Sequence, residues 1–206
     1  MTTYVVDPQL VEQSHSACSA GDLAALIPAI GSIRATAPDV QLDALRSSYG
    51  THRTLLQVAC LHGHKTVVEY LLTEGCDVTA VDSGGRTALH AAAIGRHGSI
   101  VRLLCGRGAD VDARASGGAY ALGLIFVEDE TDQIRGVARG DEAAAVAAVL
   151  ESGGDVNART ADGRTAVHTC AEYAKIKGVR VRLESGASVA EVLARRSQGH
   201  AARSEC

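Results

Sequence analysis

The sequence predicts an all-α fold, a solenoid of helix-turn-helix units joined by short β-hairpin-like loops. Segments 54–82 and 87–112 resemble each other at a spacing of 33 residues, and a related segment begins at Thr165. Aromatic residues make up 3% of the 206 residues and Trp is absent, so the core must be built from aliphatic residues that suit close-packed helices. A fixed period of this size is typical of stacked repeats, in which each unit buries its apolar face on its neighbours.

The polar and glycine positions of each unit predict where its helices begin and end. Thr54 and Thr87 lie 33 residues apart, and so do Gly75 and Gly108. The Thr can cap the first helix by accepting hydrogen bonds from backbone N–H groups. The Gly follows the second helix, where a positive φ is cheap for glycine.

Small and apolar residues fill the positions between these markers. Residues 91–93 are all Ala, so adjacent helices can approach closely. Apolar residues in 100–104 recur at helical spacing and form a stripe for neighbouring helices. The segments 82–86 (DSGGR) and 161–164 (ADGR) have the composition of hairpin tips that join one unit to the next.

The repeated pattern, with T-x-L-H-x-A-A opening a first helix and G-A-D-V closing a second, resembles the ankyrin repeat. The resemblance covers about residues 49–189. It implies four repeats between a degenerate N-terminal capping repeat with its connection and a C-terminal cap end with a mobile tail. The predicted boundaries are 1–48 for the N-terminal part, then 49–81, 82–114, 115–159 and 160–192 for the repeats, and 193–206 for the C-terminal part.

The repeat 115–159 is interrupted, because Gly108 and Gly153 lie 45 residues apart instead of 33. We expect about a dozen inserted residues near 128–140 to project from the stack between the two helices of this unit. At the C-terminal end, Gly178 and Arg182 replace apolar residues of the second helix. We therefore expect residues 175–196 to form the least stable unit of the stack.

Histidine and cysteine occupy repeat positions, which argues against catalysis or metal binding. His90 and His168 share one slot, and Gln57 fills the same slot in its unit. The resemblance implies that this side chain braces the loop to the next repeat. Of the six cysteines, Cys60 and Cys170 fall in slots that Ala occupies elsewhere. The sequence contains no CxxC pair and no phosphate-binding loop, so we expect no catalytic residue, no metal and no cofactor.

Composition limits the classes of partner. The net charge of −4 lacks the basic signature of nucleic-acid binding. The N-terminal residues lack the features of a signal peptide, and the longest apolar run is too short to cross a bilayer. We expect a cytoplasmic protein, with the nucleus or a large intracellular assembly as alternatives, and neither a membrane nor a small-molecule substrate as partner.

An arginine precedes the capping Thr in three units, which gives Arg53, Arg86 and Arg164 the same slot. These arginines, called the Arg row below, are either a basic stripe for an acidic protein surface or ordinary solvated charges. By the resemblance, partner-binding residues lie on the hairpin tips and the exposed face of the first helices. The predicted set is His52, Arg53, Leu61, His62, Ser83, Arg86, Ile94, Asp162, Arg164, Glu172 and Tyr173.

The predicted function is a non-catalytic protein–protein interaction module, an adaptor or scaffold that binds a partner protein through its concave surface. The first alternative is a structural subunit buried in a large assembly. The second is an enzyme or a regulatory subunit of one, with a thiol or the insertion carrying the chemistry. The absence of a recognisable base beside any thiol argues against the enzyme.

Overall fold

A computed structural model describes residues 6–48, 50–126 and 140–168. The predictions for the insertion 128–139, for Glu172 and Tyr173, and for the stability of 175–196 lie outside the described residues. The fold class is confirmed: the described chain is helical and contains no strand. None of its helices is both long and apolar enough to cross a membrane.

The helices come in pairs along the chain. The first helices of the pairs are α1 (Pro8–Ala20), α3 (Leu55–His62), α5 (Ala88–Ile94) and α7 (Ala121–Leu124). The second helices are α2 (Leu23–Thr36), α4 (Lys65–Thr73), α6 (Gly98–Gly106) and α8 (Glu142–Glu151). Short 3₁₀ turns lie at Leu42–Ala44 and Ser116–Gly118, and residues 166–168 are again helical.

The pairs stack in chain order. The first helices contact one another from α1 through α3 and α5 to α7, while α6 lies between α4 and α8 in the row of second helices. Ala92 and Ala93 are fully buried, as expected where neighbouring backbones approach closely, and so are Ile100 and Leu104 on α6. The core therefore runs continuously from one pair to the next.

Positive-φ glycines end the second helices, as the sequence predicts. Gly75 has φ 88°, Gly108 has φ 90° and Gly153 has φ 92°. A Cβ at any of the three would meet open space, so the backbone conformation is the reason for glycine at these positions.

Arg96, in the turn between α5 and α6, has a positive φ although it is not a glycine. It has φ 62° and occupies the slot that Gly63, with φ 82°, holds in the preceding pair. Its Nε donates to the carbonyl oxygen of Ile125 at 2.9 Å, and its Nη2 lies 3.7 Å from Oε2 of Glu142. The N–H of Gly140 donates to the carbonyl oxygen of Gly95 at 2.8 Å. Arg96 thus holds together the two chain segments that flank residues 127–139.

Backbone hydrogen bonds link the hairpin tips to one another. The N–H of Ser83 donates to Thr51 O at 2.9 Å, and the N–H of Ser116 donates to Gly84 O at 2.9 Å. The N–H of Ala161 donates to Gly117 O at 3.2 Å. These bonds, called the tip line below, join successive loops into one row along the edge of the stack.

Candidate partner-binding surface

The Arg row lies at the base of the hairpin tips, each arginine next to the Thr that begins a first helix. Arg53 and Arg86 are half-buried, and Arg164 is exposed. The Nε of Arg164 lies 2.9 Å from Oδ2 of Asp162. A hydrogen bond from the Thr160 hydroxyl, together with the Arg164 charge, holds the pKa of Asp162 below its usual range. The positive charge of Arg164 is therefore partly neutralised by Asp162.

The Asp82 carboxylate shapes the tip that carries Arg86. Asp82 is 6% exposed, and its Oδ1 accepts hydrogen bonds from the N–H of Gly84 at 2.8 Å and of Arg86 at 2.9 Å. Ser83 donates from its hydroxyl to Thr51 O at 2.8 Å. The backbone of this tip is consequently fixed by hydrogen bonds from Asp82 and Ser83.

The first tip is fixed in a different way. His52 is exposed and has φ 50°, an uncommon value for a residue with a side chain. Its Nδ1 lies 3.0 Å from Ser47 O, and the N–H of Arg53 donates to the Ser47 hydroxyl at 3.0 Å. Ser47 therefore anchors both residues in the backbone conformation that places Arg53 in the row.

In α3 and α5, a buried side chain braces the loop of the following unit. Gln57 Nε2 donates to Ala80 O at 3.0 Å and to Arg86 O at 2.7 Å. In the next unit, His90 Nε2 lies 3.3 Å from Ala119 O. These braces hold the backbone of the slot to which the Arg row belongs.

The hydrogen bonds of His90 also fix its tautomer. The N–H of Thr87 donates to His90 Nδ1 at 3.1 Å, so the ring hydrogen belongs on Nε2, which faces Ala119 O. Burial lowers the pKa of His90. His168 repeats the first bond, with the N–H of Thr165 donating to its Nδ1 at 3.2 Å. The bracing role expected for this slot is confirmed for Gln57 and His90.

The interrupted unit has a brace that the sequence analysis missed. Tyr120 stands in the Thr slot, is 2% exposed, and donates from its hydroxyl to Arg164 O at 3.0 Å and to Ala158 O. These carbonyls correspond to those that Gln57 binds. Gly123 occupies the His slot, and a Cβ there would lie 3.7 Å from the Tyr120 ring. A Tyr in place of Thr, with a Gly three residues later, was the available signal.

Two of the residues predicted to contact a partner are core residues. Leu61 is 2% exposed and Ile94 is 3% exposed, so neither offers surface to a partner, and we correct the prediction for both. The reason is coverage by neighbouring helices: six of the eight residues of α3 and all seven residues of α5 are buried. His62, at the end of α3, is half-buried and keeps some surface.

His62 belongs to a row of histidines in the turns after the first helices. Its ring stacks on that of His64, with centroids 6.2 Å apart. His64 Nε2 lies 2.9 Å from Ser19 O, and His97 Nε2 lies 3.1 Å from Leu61 O, so each ring ties its turn to the preceding unit. Burial lowers the pKa of His62, as do neighbouring His64, Arg53 and His97. Within the described ranges, no group of three or more His, Cys, Asp or Glu is arranged to hold a metal ion.

The buried thiols have the chemistry of small apolar residues. Cys18, Cys60 and Cys76 are free and buried. Burial raises the pKa of Cys18 and of Cys76 to about 12, and it raises the pKa of Cys60 as well. Thiolate is the nucleophilic form of cysteine, so these three groups are poor nucleophiles at neutral pH.

Comparison with known proteins identifies part of the stack. Residues 14–115 match the family model described as ankyrin repeats (3 copies). The match includes most of α1 and all of α2, which precede residue 49, where the resemblance in sequence begins. It ends before the interrupted unit, where Tyr120 and Gly123 depart from the pattern. No curated protein matches the chain.

Proposed function

Because residues 14–115 make this chain a member of the ankyrin-repeat family, we propose that it is a non-catalytic module that binds another protein through its concave surface. Ankyrin repeats are generally protein–protein interaction modules. The proposed contact residues in the described part of the chain are His52, Arg53, His62, Ser83, Arg86, Asp162 and Arg164. Glu172 and Tyr173 stay in the proposal from their sequence positions alone.

The observation that carries the proposal is the support beneath the Arg row. Side chains of the preceding unit bind the carbonyl oxygens of Arg86 and Arg164, and Ser47 holds the N–H of Arg53. The backbone positions of the three arginines are therefore set before a partner arrives, which lowers the ordering cost of binding. The Arg86 side chain forms no ion pair with another described residue.

An acidic surface on the partner suits this row. Arginine heads that share one edge of the stack attract carboxylates and steer association at low ionic strength. Asp162 moderates the charge at one end, so we expect Arg53 and Arg86 to contribute more to binding than Arg164. The exposed charge of Arg164 contributes little to the stability of the module itself.

Two features support a role without catalysis. The Cys18, Cys60 and Cys76 thiols lie in the core with raised pKa values. Both nitrogens of the His90 ring face backbone partners, Thr87 N–H and Ala119 O, which leaves neither nitrogen for a substrate. The three thiols and the His90 ring therefore have structural roles within the stack.

The test combines partner identification with charge reversal. Partners captured by the wild-type chain are identified by mass spectrometry, and binding is then measured with Arg53→Glu/Arg86→Glu/Arg164→Glu. A matched control, Lys65→Glu/Arg102→Glu/Arg107→Glu, reverses three exposed cations on the second helices or directly after them. We expect the first variant to lose at least tenfold in affinity and the control to bind as the wild type does. The wild-type association rate should fall as salt is added.

Equal binding by both triple variants would show that the Arg row is ordinary solvated surface. Size-exclusion chromatography of the native protein addresses the structural-subunit alternative. A chain found only within a large complex, with no free pool, would support that alternative over a reversible adaptor.

A further inference from the structure

Successive units are separated by gaps on the loop side, between the segments that follow each second helix. The first gap lies between residues 43–46 and 77–81, the second between 77–81 and 110–114, and the third between 110–114 and 155–159. The segments 77–81 (DVTAV), 110–114 (DVDAR) and 155–159 (DVNAR) occupy the same place in their units.

The first gap is crossed by two side chains. Oδ2 of Asp43 accepts from the N–H of Asp77 at 2.9 Å, and Nη1 of Arg46 donates to Val81 O. An acid therefore binds the N–H at the start of the next segment, and an arginine binds the carbonyl at its end.

The third gap is crossed in the same way. Oδ1 of Asp112 accepts from the N–H of Asp155 at 3.0 Å, and Nη1 of Arg114 donates to Arg159 O at 2.7 Å. The guanidinium of Arg114 also lies 5.8 Å from the centre of the Tyr120 ring. An acid and an arginine two residues apart are sufficient to bridge one gap.

The second gap lacks both bridges. Its residues at the bridging positions are Thr79, whose hydroxyl donates to Asp77 of its own segment at 2.7 Å, and Val81, which has no side-chain donor. Consequently the N–H of Asp110 and the carbonyl oxygen of Arg114 have no hydrogen-bond partner among the described residues.

A cleft of about 340 Å³ opens in this second gap. Its lining includes Val78, Val81, Ala113, Asp110 and Arg114. Val81 is 46% exposed and is one of two large apolar residues exposed in the described part of the chain. Ligand pockets span about 300–1,000 Å³, so this cleft suits one or two side chains of a protein segment.

We propose that the second gap binds an extended segment of another protein that carries an arginine two residues after an aspartate. The arginine head donates to Arg114 O while its stem covers Val78 and Val81. The aspartate accepts from the N–H of Asp110.

Charge and spacing favour a different protein over a second copy of this chain. The Asp112 and Arg114 pair of this chain has the required spacing, but both side chains already bridge the third gap. Arg159, in the matching slot of the next segment, donates to Gly163 O at 3.1 Å. Another copy would have to break these bonds before offering the same groups.

The test uses two blocked pentapeptides and the full-length protein. One peptide, acetyl-Val-Asp-Ala-Arg-Ala-amide, repeats residues 111–115 of this chain, and the control is acetyl-Val-Asn-Ala-Leu-Ala-amide. Nuclear magnetic resonance follows the Asp110 amide and the Val78 and Val81 methyl groups at millimolar peptide. We expect saturable shifts with the first peptide and at least tenfold weaker binding of the control.

A protein variant supplies the bridges from within. Thr79→Asp/Val81→Arg gives the second gap the two residue types that cross the third, at exposed positions. We expect this variant to melt at a higher temperature than the wild type and to bind the first peptide at least tenfold more weakly. The single variants should each produce part of both effects.

Three outcomes would overturn the proposal. Equal shifts with both peptides would mean that the cleft does not recognise the acid and the arginine. Undiminished peptide binding by the double variant would place the binding elsewhere. Self-association that the double variant abolishes would assign the cleft to a second copy. Because the peptide replaces the cellular partner, this test is separate from that of the Arg row.

Discussion

The regular unit α5–α6 and the interrupted unit α7–α8 use different side chains to bind backbone carbonyl oxygens of the following loop. In the regular unit, Thr87 and His90 form a buried pair, and the His90 ring reaches Ala119 O of the next loop. In the interrupted unit, Tyr120 alone spans that distance with its hydroxyl, and Gly123 occupies the slot of the ring. The comparison teaches that the repeat preserves satisfied backbone groups more strictly than it preserves residue types.

The largest effect is expected where one hydroxyl serves two carbonyls. Tyr120→Phe keeps the ring but leaves Ala158 O without its donor, whereas Arg164 O still accepts from the N–H of Thr160 at 2.8 Å. Each buried polar group left unpartnered costs about 1–3 kcal/mol, so we expect the free energy of unfolding to fall by about 2 kcal/mol. Urea denaturation of the wild type and the variant measures the difference.

A graft of the regular brace sharpens this comparison. Tyr120→Thr/Gly123→His installs the Thr and His that the interrupted unit lacks. If the braces are interchangeable, the graft should be more stable than Tyr120→Phe. If Tyr120→Phe and the graft were both as stable as the wild type, the hydroxyl bonds would contribute nothing to stability.

A smaller effect is expected from exchanging one regular brace for the other. Burial keeps the pKa of His90 low in the folded chain, while the unfolded chain takes up that proton below about pH 6.5. The unfolded state then binds more protons, so stability is lost as pH falls below that value. His90→Gln keeps an acceptor and a donor, as Gln57 has, and should flatten this loss by at most about 1.4 kcal/mol per pH unit.

Denaturation at pH 7, 6 and 5 measures that slope. Arg86 and Asp82 also act on the His90 ring in opposite directions, so the measurement needs constant ionic strength. His52→Gln, which changes an exposed ring at a tip, is the control. If His90→Gln kept the full slope, the pH dependence would have to originate in partly buried histidines such as His15 or His97, whose pKa values burial also lowers.

The smallest effect concerns Arg96, where the two units meet. Arg96→Gly removes both the clamp on Ile125 and Glu142 and the cost of a positive φ, whereas Arg96→Ala removes the clamp and keeps the cost. We expect the free energy of unfolding to fall from wild type to Arg96→Gly and again to Arg96→Ala, the last step being about 1 kcal/mol. A wild type less stable than Arg96→Gly would mean that the clamp does not offset the strain.

The sequence was sufficient for the parts of the fold that repeat. Thr54 and Thr87 predicted where α3 and α5 begin, and Gly75 and Gly108 predicted the positive φ after α4 and α6. These positions recur at the same spacing because each performs a local backbone task, which one sequence displays several times. The brace of His90 followed from the same repetition.

What the sequence could not supply depends on distance between units. Leu61 and Ile94 look like first-helix surface until the neighbouring helices cover them. Tyr120 looks like the loss of a motif, because the reach of its hydroxyl appears only when the next loop is in place. Arg96 looks like any surface arginine, since neither its positive φ nor its contacts with Ile125 and Glu142 can be read from local composition.

The tip line has a consequence for how such a chain can grow. Its bonds join residues 51 and 83, then 84 and 116, each 32 apart, and then 117 and 161, which are 44 apart. Twelve additional residues have entered the chain, yet the edge of the molecule repeats the same contact. The number of residues in a unit can therefore change without changing the hydrogen bonds of the tip line. During evolution the connection between two helices can lengthen or shorten, while a partner that spans several tips continues to meet the same tip line.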